Sequence, residues 1–314
     1  MKIGILASEG SWYFRDLERA AVACGHTCLR LDFGRLVSRV VTADSAIYQA
    51  ATVPDSTGIS DLMAIAAGGQ SPDSASRPEF DAIIVRTMPP GSLEQVVYRM
   101  DVLGRIQAVG IPVVNSPKSL ECAVDKYLTT ARLQAAGLPV PETIVCEHED
   151  DAAAAFEALG RDVVVKPLFG AEGRGIVRVS DPDLAHRTFR TLMRLDSVLY
   201  IQKFVEHEGF DVRVLVLNGL VLGAIRRRSP HDFRTNVSRS AVPELHAPTD
   251  QEAEFALRAA AATGAFVAGI DLLYDRLGNC FVIEVNAVPG WQAFSHTTGI
   301  DVASRLIDQL QSSV

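Results

Sequence analysis

The sequence predicts a mixed fold, an α/β lobe followed by α+β structure. Three observations carry this expectation. The chain opens with a strand–helix–strand pattern. Helices and strands alternate along most of its length. The second half adds hairpin signals that a purely parallel sheet would not need. With 314 residues, 48% of them apolar and 22% charged, the chain has the composition of a folded globular protein and the length of about two domains.

Lys2–Leu6 is a short apolar run followed by Ala7-Ser8-Glu9-Gly10. Leu17, Ala20, Ala21 and Cys24 then recur at helical spacing within Arg15–Cys24, and Gly25 ends that helix before a second strand at Thr27–Leu31. Residues 42–78, rich in Pro, Gly, Ser and Asp, read as an irregular insertion with a short helix near Ser60–Ala67. Order resumes with a buried strand at Phe80–Val85, a helix over Leu93–Val109 and a strand at Ile111–Asn115.

Ser116–Ala136 is helix-rich and is broken by Gly137-Leu138-Pro139. Strands at Thr143–Cys146 and Asp162–Lys166 bracket a helix at Asp151–Leu159. A glycine-rich segment, Phe169–Gly175, precedes a helix at Asp181–Leu192. Strands are predicted at Leu199–Phe204, Asp211–Leu217 and Val221–Arg227, the last two joined by the hairpin dipeptide Asn218-Gly219. A helix at Glu252–Thr263, strands at Val267–Leu273 and Cys280–Val285, and a helix at Val302–Leu310 complete the pattern. The domain reading is three lobes: 1–115, 116–197 and 198–314.

Composition excludes several classes. A formal net charge of −8 argues against a general polyanion binder, so no nucleic acid is expected as the main partner. Five cysteines, none in a CxxC pair, argue against a disulfide framework and for a reducing, cytoplasmic setting. No apolar run approaches the roughly 18 residues of a spanning helix, so no membrane partner is expected. The N-terminus lacks the apolar segment and cleavage site of a signal peptide.

Three groups of residues can carry chemistry. The first is the loop Gly170-Ala171-Glu172-Gly173-Arg174-Gly175, where glycines let backbone amides approach phosphate oxygens. It is neither a Walker loop nor a dinucleotide fingerprint, and alone it also fits a tight hairpin. The second is Asp271, Glu284 and Asn286. A spacing of two puts Glu284 and Asn286 on one face of a strand, and the turn at Asp275–Asn279 can bring Asp271 beside Glu284. Two carboxylates and an amide oxygen suit a magnesium ion; a structural network satisfied by arginine is the competing reading. The third is a set of cations: Lys126, Lys166, Arg213, Arg227 and Arg234. Lys166 ends an apolar strand next to the glycine loop, a placement suited to a nucleotide phosphate. No GxSxG elbow and no HExxH or HxH arrangement occurs.

In order, Asn115-Ser116-Pro117, Asp125-Lys126, Val165-Lys166 with the glycine loop, Asp211-Val212-Arg213, Asp232-Phe233-Arg234-Thr235-Asn236 and Glu284-Val285-Asn286-Ala287-Val288-Pro289-Gly290 resemble the ATP-grasp superfamily, and within it the RimK-type L-glutamate ligases. The resemblance covers nearly the whole chain apart from the insertion. It implies an ATP-grasp fold with an N-terminal parallel-sheet lobe (1–115), a small ATP-grasp lobe with the glycine loop (116–197) and a C-terminal lobe with the metal site (198–314). It implies ATP and Mg2+ as cofactors, with Mn2+ able to substitute. Lys126, Lys166, Gly170, Gly173, Gly175, Lys203, Phe204, Asp211, Arg234, Thr235 and Asn236 would bind the nucleotide. Asp271, Glu284 and Asn286 would hold the metal, and Arg213 and Arg227 would face the reacting groups.

The implied reaction joins a carboxylate to an amine through an acylphosphate, with small-molecule carboxylate and amino-acid substrates and a homo-oligomer left open. The run Val237-Ser238-Arg239-Ser240-Ala241 departs from the glycine-bearing run of the ribosomal-protein-modifying relatives, and Arg226 stands where they commonly carry an acid. Together with the acidic chain, this favours L-glutamate addition to a small molecule such as a pterin or furan C1-carrier cofactor. The alternatives are modification of a protein C-terminus or carrier protein, a catalytically silent nucleotide-binding protein on the same scaffold, and a dinucleotide oxidoreductase, which lacks its GxGxxG.

Overall fold

The computed structural model describes residues 1–41, 44–50, 62–69, 80–170, 173–229, 232–234 and 241–312. They divide into two compact units, Met1–Lys118 with Asp301–Val314, and Ser119–Ile300.

The first unit begins with β1 (Lys2–Leu6), α1 (Trp12–Ala23) and β2 (Thr27–Leu31). Ser11 caps α1 by accepting from the Phe14 N–H, and Leu17, Ala20 and Ala21 form its buried stripe. Next come β3 (Leu36–Val41), β4 (Asp44–Ala50) and β5 (Leu62–Gly69), then β6 (Ala82–Val85), α2 (Leu93–Ala108) and β7 (Val113–Val114). A parallel sheet runs β2-β1-β6-β7, as the opening pattern predicts.

The insertion is where the expectation fails. Leu36–Gly69 contributes a three-stranded antiparallel sheet, β3-β4-β5, in place of an irregular segment, and Leu62–Gly69 is a strand where a short helix was expected. The physical reason is pairing. Leu62, Met63 and three alanines carry a weak helix propensity, and the ladder that β4 offers overrides it.

The second unit contains most of α3 (Pro117–Val124), then α4 (Lys126–Ala135), β8 (Thr143–Cys146), α5 (Glu149–Ala158), β9 (Val163–Lys166), β10 (Val177–Val179), α6 (Pro182–Met193) and β11 (Leu199–Lys203). There follow β12 (Phe210–Leu217), β13 (Leu220–Arg228), β14 (Val242–His246), α7 (Asp250–Thr263), β15 (Val267–Tyr274), β16 (Cys280–Asn286) and α8 (Gln292–Thr298). Two antiparallel sheets organise these elements: four strands in the order β10-β9-β11-β8, and five in the order β14-β13-β12-β15-β16.

Each sheet buries one face under helices. Val163, Val165, Leu199 and Ile201 of the four-stranded sheet pack with Ala152, Ala155 and Phe156 of α5 and Ala185 and Phe189 of α6. Val212, Val214, Val216, Ile270, Leu272 and Val282 of the five-stranded sheet pack with Leu133 of α4 and Ala256, Ala259 and Ala260 of α7. Because strand side chains alternate, Asp211, Arg213 and Asp271 take the opposite face of the second sheet, and Val164, Lys166, Tyr200 and Gln202 that of the first. The predicted hairpin forms at Asn218-Gly219, both at positive φ (46° and 72°) as a type I′ turn demands.

The last helix, α9 (Val302–Gln311), belongs to the first unit. It packs on α1 and buries Val302, Ala303, Leu306, Ile307 and Leu310. Arg19 of α1 reaches both Asp16 and Asp301 at 2.8 Å, and Asp301 caps α9 through the Ser304 N–H. The grouping of 198–314 into one lobe therefore differs from the structure at this helix. Among the described residues no helix is long and apolar enough to cross a membrane.

Candidate active site

A cleft in the second unit is lined by Lys126, Lys166, Gly170, Gly173, Lys203, Phe204, Asp211, Arg227, Phe233, Arg234, Asp271 and Glu284, among others. Strand residues of both sheets meet there with α4, the glycine loop, and Phe204, Phe233 and Arg234 from outside the strands.

The five-stranded sheet supplies a row of charges. Ladder register places Arg227 opposite Asp211, Arg213 opposite Asp271, and Asp271 opposite Glu284. Arg213 grips Asp271 with two hydrogen bonds, Nε to Oδ1 and Nη2 to Oδ2, each 2.7 Å. Arg227 donates through Nε to Asp211 Oδ1 at 2.7 Å and through Nη2 to Asp211 Oδ2, and the same Nη2 lies 3.0 Å from Asp271 Oδ2. The Arg227 side chain is 2% exposed. Burial opposes its charge, but Asp211 and Asp271 outweigh burial and push the guanidinium pKa up. Burial likewise works against the charge of Asp271, yet Arg213 and Arg227 prevail and hold its carboxyl at about 2.

Glu284 behaves differently. Burial and the charge of Asp271 together push its pKa up, opposed by Lys126, Arg213 and Lys166. Asn286 turns its amide nitrogen to Gly269 O at 3.4 Å and Asp271 Oδ2 at 3.5 Å. Among the described residues no three His, Cys, Asp or Glu side chains are arranged to hold a metal ion. The donor set nevertheless fits a magnesium ion, which takes one or two carboxylates and leaves its other positions to water and phosphate. Asp271, Glu284 and Asn286 supply hard oxygens from two paired strands. Glu284, destabilised as an anion, is the group that a cation would relieve.

The four-stranded sheet and α4 supply the lysines. Asp125 caps α4 and so fixes Lys126 at its first turn; Lys126 Nζ donates to Gly170 O at 2.9 Å. Burial pushes the Lys126 pKa down, partly offset by Glu284. Lys166 Nζ donates to Gln202 Oε1 at 2.6 Å and lies 5.9 Å from the Tyr200 ring centroid. Burial brings the Lys166 pKa down to about 8, against the pull of Glu284. Gly175 sits at φ 73°, and a Cβ there would come 2.9 Å from Pro167 Cγ.

At the other end of the cleft, Phe204 lies 6.0 Å from both the His207 and Phe233 rings, and the Arg178 guanidinium stacks 3.6 Å from the Phe204 centroid. The backbone N–H groups of Lys203 and Phe204 already donate to Glu142 O and Asp162 O, at 2.8 and 2.9 Å. Any base contact by these two residues must therefore use their carbonyls or side chains. Arg234 pairs with Asp232 at 2.7 Å. Thr235 and Asn236 lie outside the described residues.

The structure thus brings together Lys126, Lys166, the glycine loop, Asp211, Arg213, Arg227, Asp271, Glu284 and Asn286. It shows Arg227 enclosed between Asp211 and Asp271, where the resemblance implied that it faces the reacting groups, and it shows Asp271 satisfied by Arg213 and Arg227 as in the competing arginine-network reading. Sequence reasoning passed over Tyr200, Gln202 and Thr143. Their only signal was polar groups at alternating positions of otherwise apolar strands.

Two antiparallel sheets with a glycine loop, two strand- and helix-borne lysines and an acidic strand pair around one cleft define the ATP-grasp class. A family model for the RimK-like ATP-grasp domain matches residues 123–310, and the chain belongs to that family. It is an ATP-grasp ligase. The tetrahydromethanopterin:alpha-L-glutamate ligase of Methanosarcina acetivorans is 32% identical over 262 residues, covering 74% of this chain and 81% of the relative. A ribosomal protein bS6–L-glutamate ligase of Escherichia coli is 29% identical over 311 residues, covering 98% of this chain and 94% of the relative. Among solved structures, the ATP-grasp ligase PsnB complexed with a minimal precursor is similar with a TM-score of 0.73 at 21% identity, over 99% of each chain.

Proposed function

We propose that this ligase consumes ATP to join L-glutamate to a small-molecule carboxylate through an acylphosphate. The observation that carries the reading is the cleft, which brings Lys126, Lys166, Gly170 and Gly173 together with Asp271 and Glu284. The match to the tetrahydromethanopterin:alpha-L-glutamate ligase supports a pterin-like or similar cofactor acid as the acceptor and L-glutamate as the amine.

A carboxylate does not condense with an amine in neutral water, so it must first gain a leaving group. Its oxygen attacks the γ-phosphorus of ATP, the bond to the β-phosphate oxygen breaks, and ADP departs. Lys126 and Lys166 hold the phosphates with charges that need not be moved during the reaction. Asp271, Glu284 and Asn286 would hold Mg2+, which neutralises phosphate charge when bound. The glutamate amine then attacks the acyl carbon, an amide bond forms, phosphate leaves, and phosphate or substrate takes the amine proton.

Arg213 spends Nε and Nη2 on Asp271, so its Nη1 is the edge for the tetrahedral oxyanion. Arg227, enclosed by Asp211 and Asp271, keeps that arrangement rigid. The glycine loop, tied to Lys126 through Gly170 O, closes the cleft and keeps water from the acylphosphate.

A second reading has its own support. The match to the ribosomal protein bS6–L-glutamate ligase spans 98% of this chain, which favours a protein C-terminus as acceptor. One experiment tests both: the chain is incubated with Mg-ATP, L-glutamate and either a panel of cofactor acids or peptides ending in a free carboxylate, with ADP and product mass recorded. A mass gain of glutamate on a cofactor acid supports the first reading. A gain on peptides alone sets it aside, and ADP release without glutamate in any product removes glutamate as the amine.

A further inference from the structure

The uncovered face of the four-stranded sheet holds a group of neutral polar side chains that the mechanism above does not use. Register places Lys166 opposite Tyr200, and Gln202 opposite Thr143. Gln202 is 4% exposed. Its amide nitrogen donates to Thr143 Oγ1 at 2.9 Å and to the Tyr200 hydroxyl at 3.1 Å. Its amide oxygen receives the Lys166 ammonium at 2.6 Å.

The partners dictate which way the amide points. The Thr143 hydroxyl donates its one proton to Pro141 O at 2.8 Å, so toward Gln202 it can only accept. An acceptor at that position requires the amide nitrogen to face Thr143, which turns the amide oxygen to Lys166. Tyr200 accepts from the same nitrogen, and its hydroxyl also shares a hydrogen bond of 2.8 Å with Thr130 Oγ1 on α4, in which either hydroxyl can donate. A flipped amide would set its NH2 group against the ammonium, two donors with no acceptor between them.

We propose that Gln202 is a positioning residue for Lys166, with Thr143 and Tyr200 locking its amide so that a neutral acceptor fixes the ammonium group in place. The proposal rests on the reading of Lys166 as a nucleotide contact. Its chemical sense lies in the neutrality of the amide. A carboxylate at this position would also hold the lysine, but it would cancel the charge that the phosphates need. An amide oxygen fixes where the charge sits and leaves it whole.

The test measures Mg-ATP binding by titration calorimetry, with KM for ATP and for the second substrate measured separately. Thr143→Val keeps the shape but removes the acceptor that orients the amide. Thr143→Ser keeps that acceptor. Gln202→Leu removes the amide altogether. ATP affinity is expected to fall about tenfold in Gln202→Leu, by analogy with the low end of the loss when a group that orients a metal ligand is removed. A several-fold fall is expected in Thr143→Val, with recovery in Thr143→Ser. KM for ATP should rise in step while KM for the amino acid stays level, a split that a merely structural role would not produce.

Equal ATP affinities for Thr143→Val, Thr143→Ser and the unaltered chain overturn the proposal even if Gln202→Leu fails to fold. An unaltered chain that binds no ATP overturns the nucleotide reading of the cleft itself, and that result is distinct because no variant is needed to see it.

Discussion

The two sheets of the second unit hold their cleft-facing charges by opposite means. On the five-stranded sheet, Asp211, Arg213, Arg227 and Asp271 neutralise one another in a buried lattice of ion pairs. On the four-stranded sheet, Lys166 is held by a neutral amide, and its charge stays uncompensated enough for burial to bring its pKa down to about 8. The first arrangement makes a rigid frame whose charges are mutually committed. The second keeps a positive charge available for an incoming anion. Within one cleft, one side fixes its charges against each other and the other fixes a charge without neutralising it.

Asp271 is the point at which this comparison breaks most violently. Asp271→Asn leaves Arg213 and Arg227 buried around a neutral amide, and the loss of one partner from a buried ion network costs about 3–5 kcal/mol. Both stability and turnover should therefore collapse, read by urea unfolding and ADP release. Glu284→Gln should separate the two. Its carboxylate is destabilised by burial and by Asp271, so the neutral amide should leave the unfolding midpoint unchanged or raised while turnover is lost. If Glu284→Gln destabilised the chain as much as Asp271→Asn, the distinction between frame and ligand group would be wrong. Lys166→Met, on the neutral side, should leave stability intact and weaken ATP binding by roughly a hundredfold, a loss of about 2.7 kcal/mol; unchanged affinity would take Lys166 out of the site.

The pH dependence sharpens the same contrast. The Lys166 pKa lies at about 8 in the folded chain against an ordinary 10.5. Between these values the unfolded chain binds more protons, so the Lys166 contribution makes stability rise with pH across that window. The charge that ATP needs disappears over the same range. Expected, then, is a kcat/KM for ATP that falls above pH 8 while the folded state gains, measured by a pH–rate profile beside urea titrations. Asp271, held at about 2 against an ordinary 3.8, works the other way: its stabilisation is complete above 3.8 and is lost as pH falls toward 2. A flat kcat/KM for ATP between pH 7 and 9.5 would contradict the assignment of the lysine.

Much of this was legible in the sequence, and the limits are physical. The Asn218-Gly219 hairpin and the turn at Asp275–Asn279 are local, so the strand pairs they join, and the meeting of Asp271 with Glu284, could be read directly. The clasp of Arg213 on Asp271 spans 58 residues and depends on β12 pairing with β15, which no local pattern announces. Arg227 reads as one of three consecutive arginines. Only register shows that it alone turns into the ion lattice, while Arg226 and Arg228 flank Phe210 on the other face. Strands β3 to β5 were missed because each is weak by itself and is made by its neighbours. The apolar stripe of α9 was visible, but its partner α1, nearly the whole chain away, was not.

The smallest expected effect concerns two glycines, one beside the neutral site and one remote from it. Gly175 and Gly219 hold nearly the same left-handed backbone, φ 73° and 72°, but a Cβ on Gly175 would meet Pro167 Cγ at 2.9 Å, whereas one on Gly219 would meet nothing within 4 Å. Gly219→Ala therefore isolates the conformational cost, about 1 kcal/mol for an L-residue in this region. Gly175→Ala adds the clash with Pro167, the residue that follows Lys166, so its excess destabilisation should come with a several-fold loss of ATP affinity that Gly219→Ala does not share. Urea midpoints and ATP titrations on the two variants give the difference directly. Should both lose stability equally and bind ATP alike, the loop would be yielding at Pro167, and the glycine would serve only its own turn rather than the placement of Lys166.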